Sequence, residues 1–582
     1  MLKKLLLSCL PTIVLAVDYS VHFIGLDDNE TLKTVKSAAF LNTLKKNSPI
    51  SINALRFRAE SDIPDIIKAL HAHGYYEAHV RIKMEEEEDG VEVFVLMEPG
   101  PQYSVNHFKV EALEDGKPFL CSNLSPENLG IHLDEPVNAT AILNGEQKAV
   151  AILGECGYPL ASIEKREMVA DFDTKTLSVD LTINAGKYAK FGPTVVMGAP
   201  HIKEKLFENK SEIKPGEPYD SRVIEKTQKK LLDTGLFSSV IITHNNEPDF
   251  SHQLPLKIEA TETQHKSIHV GASYQTFFGP GLTFGWENRN ISGLGRKLSL
   301  QGDVTARTHT GTATFFVPDF WKIDQDYVAQ AQALQESIYA YHQQSYAITN
   351  RVERRLRTAY RVSLGLKLER LFVSNSVDNG TFSLFELPLY FRWSCANDLL
   401  NPTSGSTLEY KAIPSINFAK VHLYYLYNAL TCSNYFTIFS NDFLVFAQQL
   451  TLHAIISEDL NAVPVPKRVL GGSDTELRGY RYHTVSPLHG HKPIGGRSGI
   501  FYTFETRFRL SKTIGLVPFF DIGSVYLTAL PKFKEKWYKS VGMGFRYFTF
   551  LGPLRFDLAF PLDRRKDIDS RYRFLVSIGQ TF

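Results

Sequence analysis

From about residue 263 to Phe582 the chain alternates apolar and polar side chains with a period of two, and this constrains the fold more than any other feature. Val541, Met543, Phe545 and Tyr547 fall on one face of a strand whose other face carries Gly542, Gly544 and Arg546. Phe556, Leu558 and Phe560 alternate with Arg555, Asp557 and Ala559, and Phe574, Val576, Ile578, Gln580 and Phe582 with Arg573, Leu575, Ser577, Gly579 and Thr581. Such a pattern suits a soluble sandwich with its apolar face inward, or a closed barrel with its apolar face toward lipid. An open sheet in hydrocarbon is excluded, because every backbone polar group there must be paired. At roughly 20 residues per strand and connection, this stretch allows about 16 strands.

The N-terminus favours the barrel. Lys3 and Lys4 precede an apolar stretch from Leu5 to Leu15 and a Val14-Leu15-Ala16 cleavage context, which predicts a secretory signal over residues 1–16 and a mature start at Val17. About a dozen apolar residues fall short of the roughly 20 that a spanning helix needs, and no later run supplies them. The formal net charge of +1 gives no case for nucleic-acid binding. Four cysteines would remain after export, Cys121, Cys156, Cys395 and Cys432. Cys121 and Cys156 fall in one domain and could pair, or all four could be small apolar residues in cores and strands.

Before the alternating region a pattern recurs at a spacing of roughly 80 residues. An amphipathic helix ends at a glycine and an aromatic follows: Ile66 to Gly74-Tyr75-Tyr76, Ile142 to Gly157-Tyr158, and Val223 to Gly235-Leu236-Phe237. Each glycine reads as a helix C-cap and each aromatic as the start of a strand packed on that helix. The pattern predicts three β-α-α-β-β domains over residues 17–100, 101–187 and 188–262, followed by a 16-stranded antiparallel barrel over 263–582. The acidic run Glu85–Asp89 reads as a solvated hairpin turn, since it lacks the ligand spacing and central glycine of a calcium loop.

Alternation stops between about 461 and 498, where the chain holds Gly471-Gly472, Arg478-Gly479-Tyr480 and Gly495-Gly496. The strands that follow place Glu505, on Ile500–Leu510, and Asp521, on Leu516–Tyr526, on the lumen side. A turn over Ser511–Gly515 pairs Leu510 with Leu516 and sets Glu505 opposite Asp521, an unfavourable like-charge pair unless a cation intervenes. An arginine fork suits two carboxylates. Arg478 is one candidate, with Gly479 permitting close approach and Tyr480 packing on the wall. Arg507, Arg509 or water are the alternatives, and they leave Arg478 outside.

The chain resembles the POTRA-plus-barrel superfamily of outer-membrane assembly factors, BamA-related, and within it most the TamA type, the outer-membrane subunit of the translocation and assembly module. The matching residues are Gly471-Gly472, Leu477-Arg478-Gly479-Tyr480, Phe504-Glu505, Phe520-Asp521-Ile522-Gly523, Leu551-Gly552-Pro553-Leu554-Arg555-Phe556-Asp557 with Pro561, Asn401-Pro402-Thr403-Ser404-Gly405, and Trp286 to Leu298. Ser404 departs from the arginine common in relatives. The resemblance implies α+β periplasmic POTRA domains, an outer-membrane barrel, and a loop whose Arg478 enters the lumen to meet Glu505 and Asp521. It also implies a lateral seam between a first strand at about 265–276 and a last strand at 570–582, which carries Gly579 and Phe582. The expected partners are unfolded outer-membrane protein clients, outer-membrane lipid and an inner-membrane-anchored TamB-like protein, with no nucleic acid.

The expected activity is insertion and folding of β-barrel or autotransporter-like proteins. The alternative is a two-partner-secretion-type pore that exports one dedicated client. No catalytic motif such as a Gly-x-Ser-x-Gly elbow or a His-Glu-x-x-His run is present, so neither an enzyme nor a cofactor is expected. His483, His489 and His491 read as members of a flexible polar loop and not as a metal site.

Overall fold

The computed structural model describes residues 17–87, 90–119, 123–418, 423–439, 442–550 and 552–582. The expected signal segment, Cys121, and Glu88 and Asp89 of the acidic run lie outside the described residues. The described residues form two compact units, one within residues 17–197, 211–230 and 240–259 and the other within residues 198–210, 231–239 and 260–582.

Three small sheets precede the barrel. In the first, Tyr19–Ile24 runs parallel to Gly90–Glu98, which pairs antiparallel with His79–Glu87. The helix Ile52–His71 buries Leu55, Ile66 and Leu70 against Val93 and Val95. The second sheet orders Lys117–Phe119, Ser104–Glu114, Thr176–Asn184 and Ser162–Asp171, and the third orders Lys190–Met197, Gln253–Glu262 and Phe237–His244. Gly74, Gly157 and Gly235 all adopt positive φ, at 84°, 101° and 69°, the left-handed cap that ends a helix. Phe237 begins its strand, whereas Tyr75 and Tyr158 each lie four residues ahead of theirs. Tyr76 and Tyr158 instead meet the start of the next domain edge-on, with ring centroids 5.2 Å from Tyr103 and 5.7 Å from Tyr188.

Among the described residues the second half is one antiparallel sheet of seventeen strands in sequence order. Its first nine are β1 Lys266–Gln275, β2 Gly279–Ile291, β3 Arg296–Thr305, β4 Thr308–Val317, β5 Gln325–Ser337, β6 His342–Leu356, β7 Tyr360–Ser374, β8 Gly380–Glu386 and β9 Leu389–Ser394. The others are β10 Gly405–Asn417, β11 Leu423–Thr437, β12 Leu444–Ser457, β13 Ser498–Arg509, β14 Ile514–Tyr526, β15 Tyr538–Thr549, β16 Gly552–Pro561 and β17 Arg573–Ile578. Both β8 and β9 pair with β7 and with β10, so they form one course of the barrel interrupted at Leu387-Pro388. Proline brings no N–H to a ladder and breaks the strand there. Sixteen courses result.

The outward phase carries Val270, Leu364, Leu366, Leu368 and Phe574, all exposed, while the inward phase of β13 to β16 is charged and buried. That division is what lipid outside and a packed lumen require. Among the described residues no helix is long and apolar enough to cross a membrane.

Two further expectations are corrected. First, the turn after β13 closes at Ile514, whose carbonyl accepts from the Leu510 and Ser511 N–H groups. Leu510 therefore belongs to the turn, Phe508 pairs with Leu516, Thr503 with Asp521, and Glu505 with Phe519. The two-residue shift leaves every side chain on its expected face, because the strand period is two. Second, the last strand stops at Ile578. Gly579 turns at φ 89°, and Gln580, Thr581 and Phe582 leave the sheet for the lumen.

The register is testable with cysteine pairs. Phe508→Cys with Leu516→Cys should oxidise to an intrachain disulfide, read by mass, and Leu510→Cys with Leu516→Cys should not. The opposite outcome contradicts the register.

Candidate functional site

The segment between β12 and β13 is a folded plug. Val463, Val465, Leu477, Tyr480 and Val485 pack with Phe501 and Val525 of the wall and with Tyr341 and Leu371 in one apolar cluster. Arg468 gathers the segment's ends, donating to the carbonyls of Leu460, Val463 and Ile494 and pairing with Asp378 at 2.6 Å. At its tip Leu477 takes φ 53°, a left-handed conformation that a branched side chain holds only under tertiary constraint. The next residue is thereby aimed at the wall.

Arg478 and the carboxylates Glu505, Asp521 and Asp557 are each 0% exposed. The guanidinium holds Asp521 with both arms of its fork, Nε to Oδ2 at 3.0 Å and Nη2 to Oδ1 at 2.7 Å, and the Arg478 backbone N–H adds a third bond at 3.1 Å. Nη1 reaches Glu505 at 2.8 Å, Asp557 at 3.1 Å and Thr581 Oγ1 at 3.3 Å. The Phe519 ring lies 3.4 Å below the guanidinium carbon. With the observed register Glu505 and Asp521 are diagonal neighbours, roughly 7–8 Å apart at Cα, a gap that one guanidinium can span. The structure thus brings Arg478, Glu505 and Asp521 together, and Arg507 also contributes, donating to Glu505 at 2.9 Å. Arg509 instead lies over Phe548.

The neighbouring residues are as specific. A Cβ on Gly479 would stand 2.8 Å from the Pro561 nitrogen and 3.1 Å from Ser540 Cβ, so the loop touches the wall where only glycine fits. The Tyr480 hydroxyl donates to the Lys539 carbonyl at 2.8 Å and accepts from the Asp563 N–H at 3.1 Å. Beyond it Asp569 accepts from Arg565 and from the Arg481 backbone N–H; burial pushes its carboxyl up, but these bonds hold it below the usual carboxylate range. His483 stacks on Tyr482, whereas His489 lies in a two-residue hairpin with Lys492. Among the described residues no three His, Cys, Asp or Glu side chains gather as a metal site.

Sequence reasoning missed a second layer. Asp557 also accepts from Arg546 at 2.6 Å and from Arg555 at 2.8 Å. Thr581 donates to Glu505 at 2.6 Å, Arg507 donates to the Phe582 carbonyl at 3.1 Å, and Arg546 donates to Gln580, which in turn reaches Asn401. Phe582 therefore sits beside the charge cluster and not along a lipid-facing edge, whereas Gly579 still donates to the Pro553 carbonyl of β16. The inward phase of Arg546, Arg555 and Asp557 was visible in the alternation, but which charges would meet was not.

An Omp85 superfamily domain model matches residues 290–582, and a POTRA model, described as a surface antigen variable number repeat, matches residues 189–262. The chain is 23% identical over 538 residues to the outer membrane protein assembly factor BamA of Nitratidesulfovibrio vulgaris, covering 88% of this chain and 66% of that protein. It is 22% identical over 508 residues to the factor of the same name from Neisseria meningitidis serogroup B, covering 75% and 63%. The chain thus spans about two thirds of the length of these curated relatives. The crystal structure of BamA from Haemophilus ducreyi lacking POTRA domains 1–3 is similar at TM-score 0.68 and 16% identity, over 81% of this chain and 99% of that one, a likeness of fold.

Asp557→Asn should destabilise the barrel, because it takes the buried countercharge from Arg546 and Arg555; breaking one partner of a buried pair costs about 3–5 kcal/mol. The temperature at which the folded barrel loses its fast gel mobility should fall. An unchanged transition contradicts the assignment.

Proposed function

The chain belongs to the Omp85 superfamily, and from that premise we propose that it is an outer-membrane assembly factor that inserts and folds β-barrel or autotransporter-like proteins. The barrel sits in the outer membrane and the three small domains extend into the periplasm, where they receive unfolded clients. The observation that carries this reading is the buried Arg478 clamp, which ties a folded plug and the residues after β17 to the barrel wall beside a seam left without a ladder.

Among the described residues no backbone pairing joins β1 to β17. The Val576 N–H meets the Thr276 hydroxyl at 3.0 Å, and β17 has six residues against ten in β1. Unpaired strand edges recruit other strands, so β1 offers a template for a client strand arriving from the periplasm. Each client strand that pairs there buries its own N–H and C=O groups, and the free energy of insertion comes from client folding. No bond of the client is made or broken.

Within the superfamily we place the chain with the TamA type. The support is the order of Asn401-Pro402-Thr403-Ser404-Gly405, Leu477-Arg478-Gly479-Tyr480 and Phe520-Asp521-Ile522-Gly523 along one barrel. An inner-membrane-anchored TamB-like protein is then the expected partner.

Depletion of the protein should lower many outer-membrane barrels or autotransporter-like proteins together. Unchanged barrel proteins with loss of one exported protein would instead establish a dedicated secretion pore. Arg478→Ala should lower assembly activity more than it lowers barrel abundance; equal loss of both would make the arginine structural only, and full activity would remove it from the mechanism.

A further inference from the structure

A second group of arginines lies away from the Arg478 cluster, at the end of the barrel opposite the start of β1. Arg307 is in the turn between β3 and β4, Arg481 follows Tyr480 in the plug, and Arg573 opens β17. They converge on one aromatic platform. The Phe277 carbonyl accepts from Arg307 at 3.2 Å, and the Phe277 ring lies 5.5 Å from the Arg573 guanidinium. The same ring packs 4.7 Å from Tyr482, next to Arg481, whose own guanidinium lies 4.0 Å over Tyr339. Arg307 and Arg481 are both close enough to Arg573 to repel it.

The cations lack a counterion. Among the described residues no carboxylate forms an ion pair with any of the three. The acid that attracts Arg573 is Asp569, and its oxygens are already filled: Oδ1 accepts from Arg565 Nη2 and the Arg481 N–H, and Oδ2 from Arg565 Nε and the Arg565 N–H. A carboxylate has about four acceptor sites, so none is left for a side chain of the group. The Arg573 Nε is buried with no hydrogen-bond partner. Arg307 is exposed and Arg481 and Arg573 are half-buried, so the cost falls on the desolvated Arg573 guanidinium, and the two neighbouring cations add repulsion to it.

We propose that Arg307, Arg481 and Arg573 form a binding site for a phosphate group, supplied by a phosphate-bearing lipid headgroup at the far end of the β1/β17 seam. Arginine forks match phosphate oxygens bidentately. Position favours the lipid as the source: in the orientation proposed above, the site stands at the outer-leaflet rim, with the exposed side chains of Tyr572 and Phe574 beside it for acyl contact. A client segment entering from the periplasm meets the other end of the seam first. A bound headgroup would neutralise the platform and hold β17, the β1–β2 turn and the plug together at the rim. The placement of the lipid rests on that orientation, whereas the binding measurement below is independent of assembly activity.

The test uses the full chain in lipid nanodiscs, with retained lipid read by native mass spectrometry. Phosphatidic acid should be retained over the phosphate-free diacylglycerol by about tenfold, equivalent to ~1.4 kcal/mol. The Arg307→Gln/Arg481→Gln/Arg573→Gln variant should retain both lipids equally. A Lys322→Gln/Arg357→Gln/Lys512→Gln control, altered in exposed turns at the opposite end, should behave as the unaltered protein. If the first variant fails to give the folded-barrel gel mobility, Arg307→Gln alone, in its exposed turn, should still weaken the preference. Equal retention of the two lipids by the unaltered protein, or a preference that survives loss of the arginines, overturns the site. Displacement of phosphatidic acid by excess inorganic phosphate overturns the lipid source and assigns the free anion.

Discussion

The structure depends on one buried cation. Arg478 enters the lumen on a plug and meets carboxylates from β13, β14 and β16 in a region that water does not reach. Each of those charges would be unstable there alone, since desolvation of an unpaired ion outweighs most of what packing returns. Together they satisfy one another, and Arg507, Arg546 and Arg555 fill the acceptor sites that Arg478 leaves. The cluster is therefore cooperative: removing a member strands the others.

Its geometry connects parts of the chain that are distant in sequence. The plug is fixed to the wall at Gly479 and Tyr480, the β16–β17 turn is fixed to the plug through Arg565 and Thr484, and Thr581 joins the cluster directly. The Asn401 turn reaches the same place through Gln580. Apart from the Asn401 turn, everything held in this way follows β12 in the chain. Strand β1 is left with its outer edge free of a ladder, and it is at this boundary that the proposed client strand would pair.

Much of this was legible in the residues, and the failures have physical causes. Two-residue periodicity distinguished lumen from lipid side chains at Glu505, Asp521, Arg546 and Asp557, because the period of a strand is insensitive to how it is paired. Register was not legible: the Leu510–Ile514 turn differs by one residue on each side from the one the glycine at 515 suggested, and the pairing moved by two. The interruption at Pro388 follows a local rule, yet whether the halves stay in one course depends on the neighbours β7 and β10. Alternation through Phe582 suggested a full last strand. The inward turn at Gly579 won because Glu505, Arg507 and Arg546 offer Gln580, Thr581 and Phe582 bonds that a lipid-facing edge could not.

The central claim is that one guanidinium holds the plug and the residues after β17 as a unit. Amide hydrogen exchange on the Arg478→Met variant tests it most directly. The account predicts faster exchange both in the plug, residues 458–497, and in residues 579–582, with β13 and β14 still protected. Faster exchange confined to the plug, or no change in either segment, would contradict it.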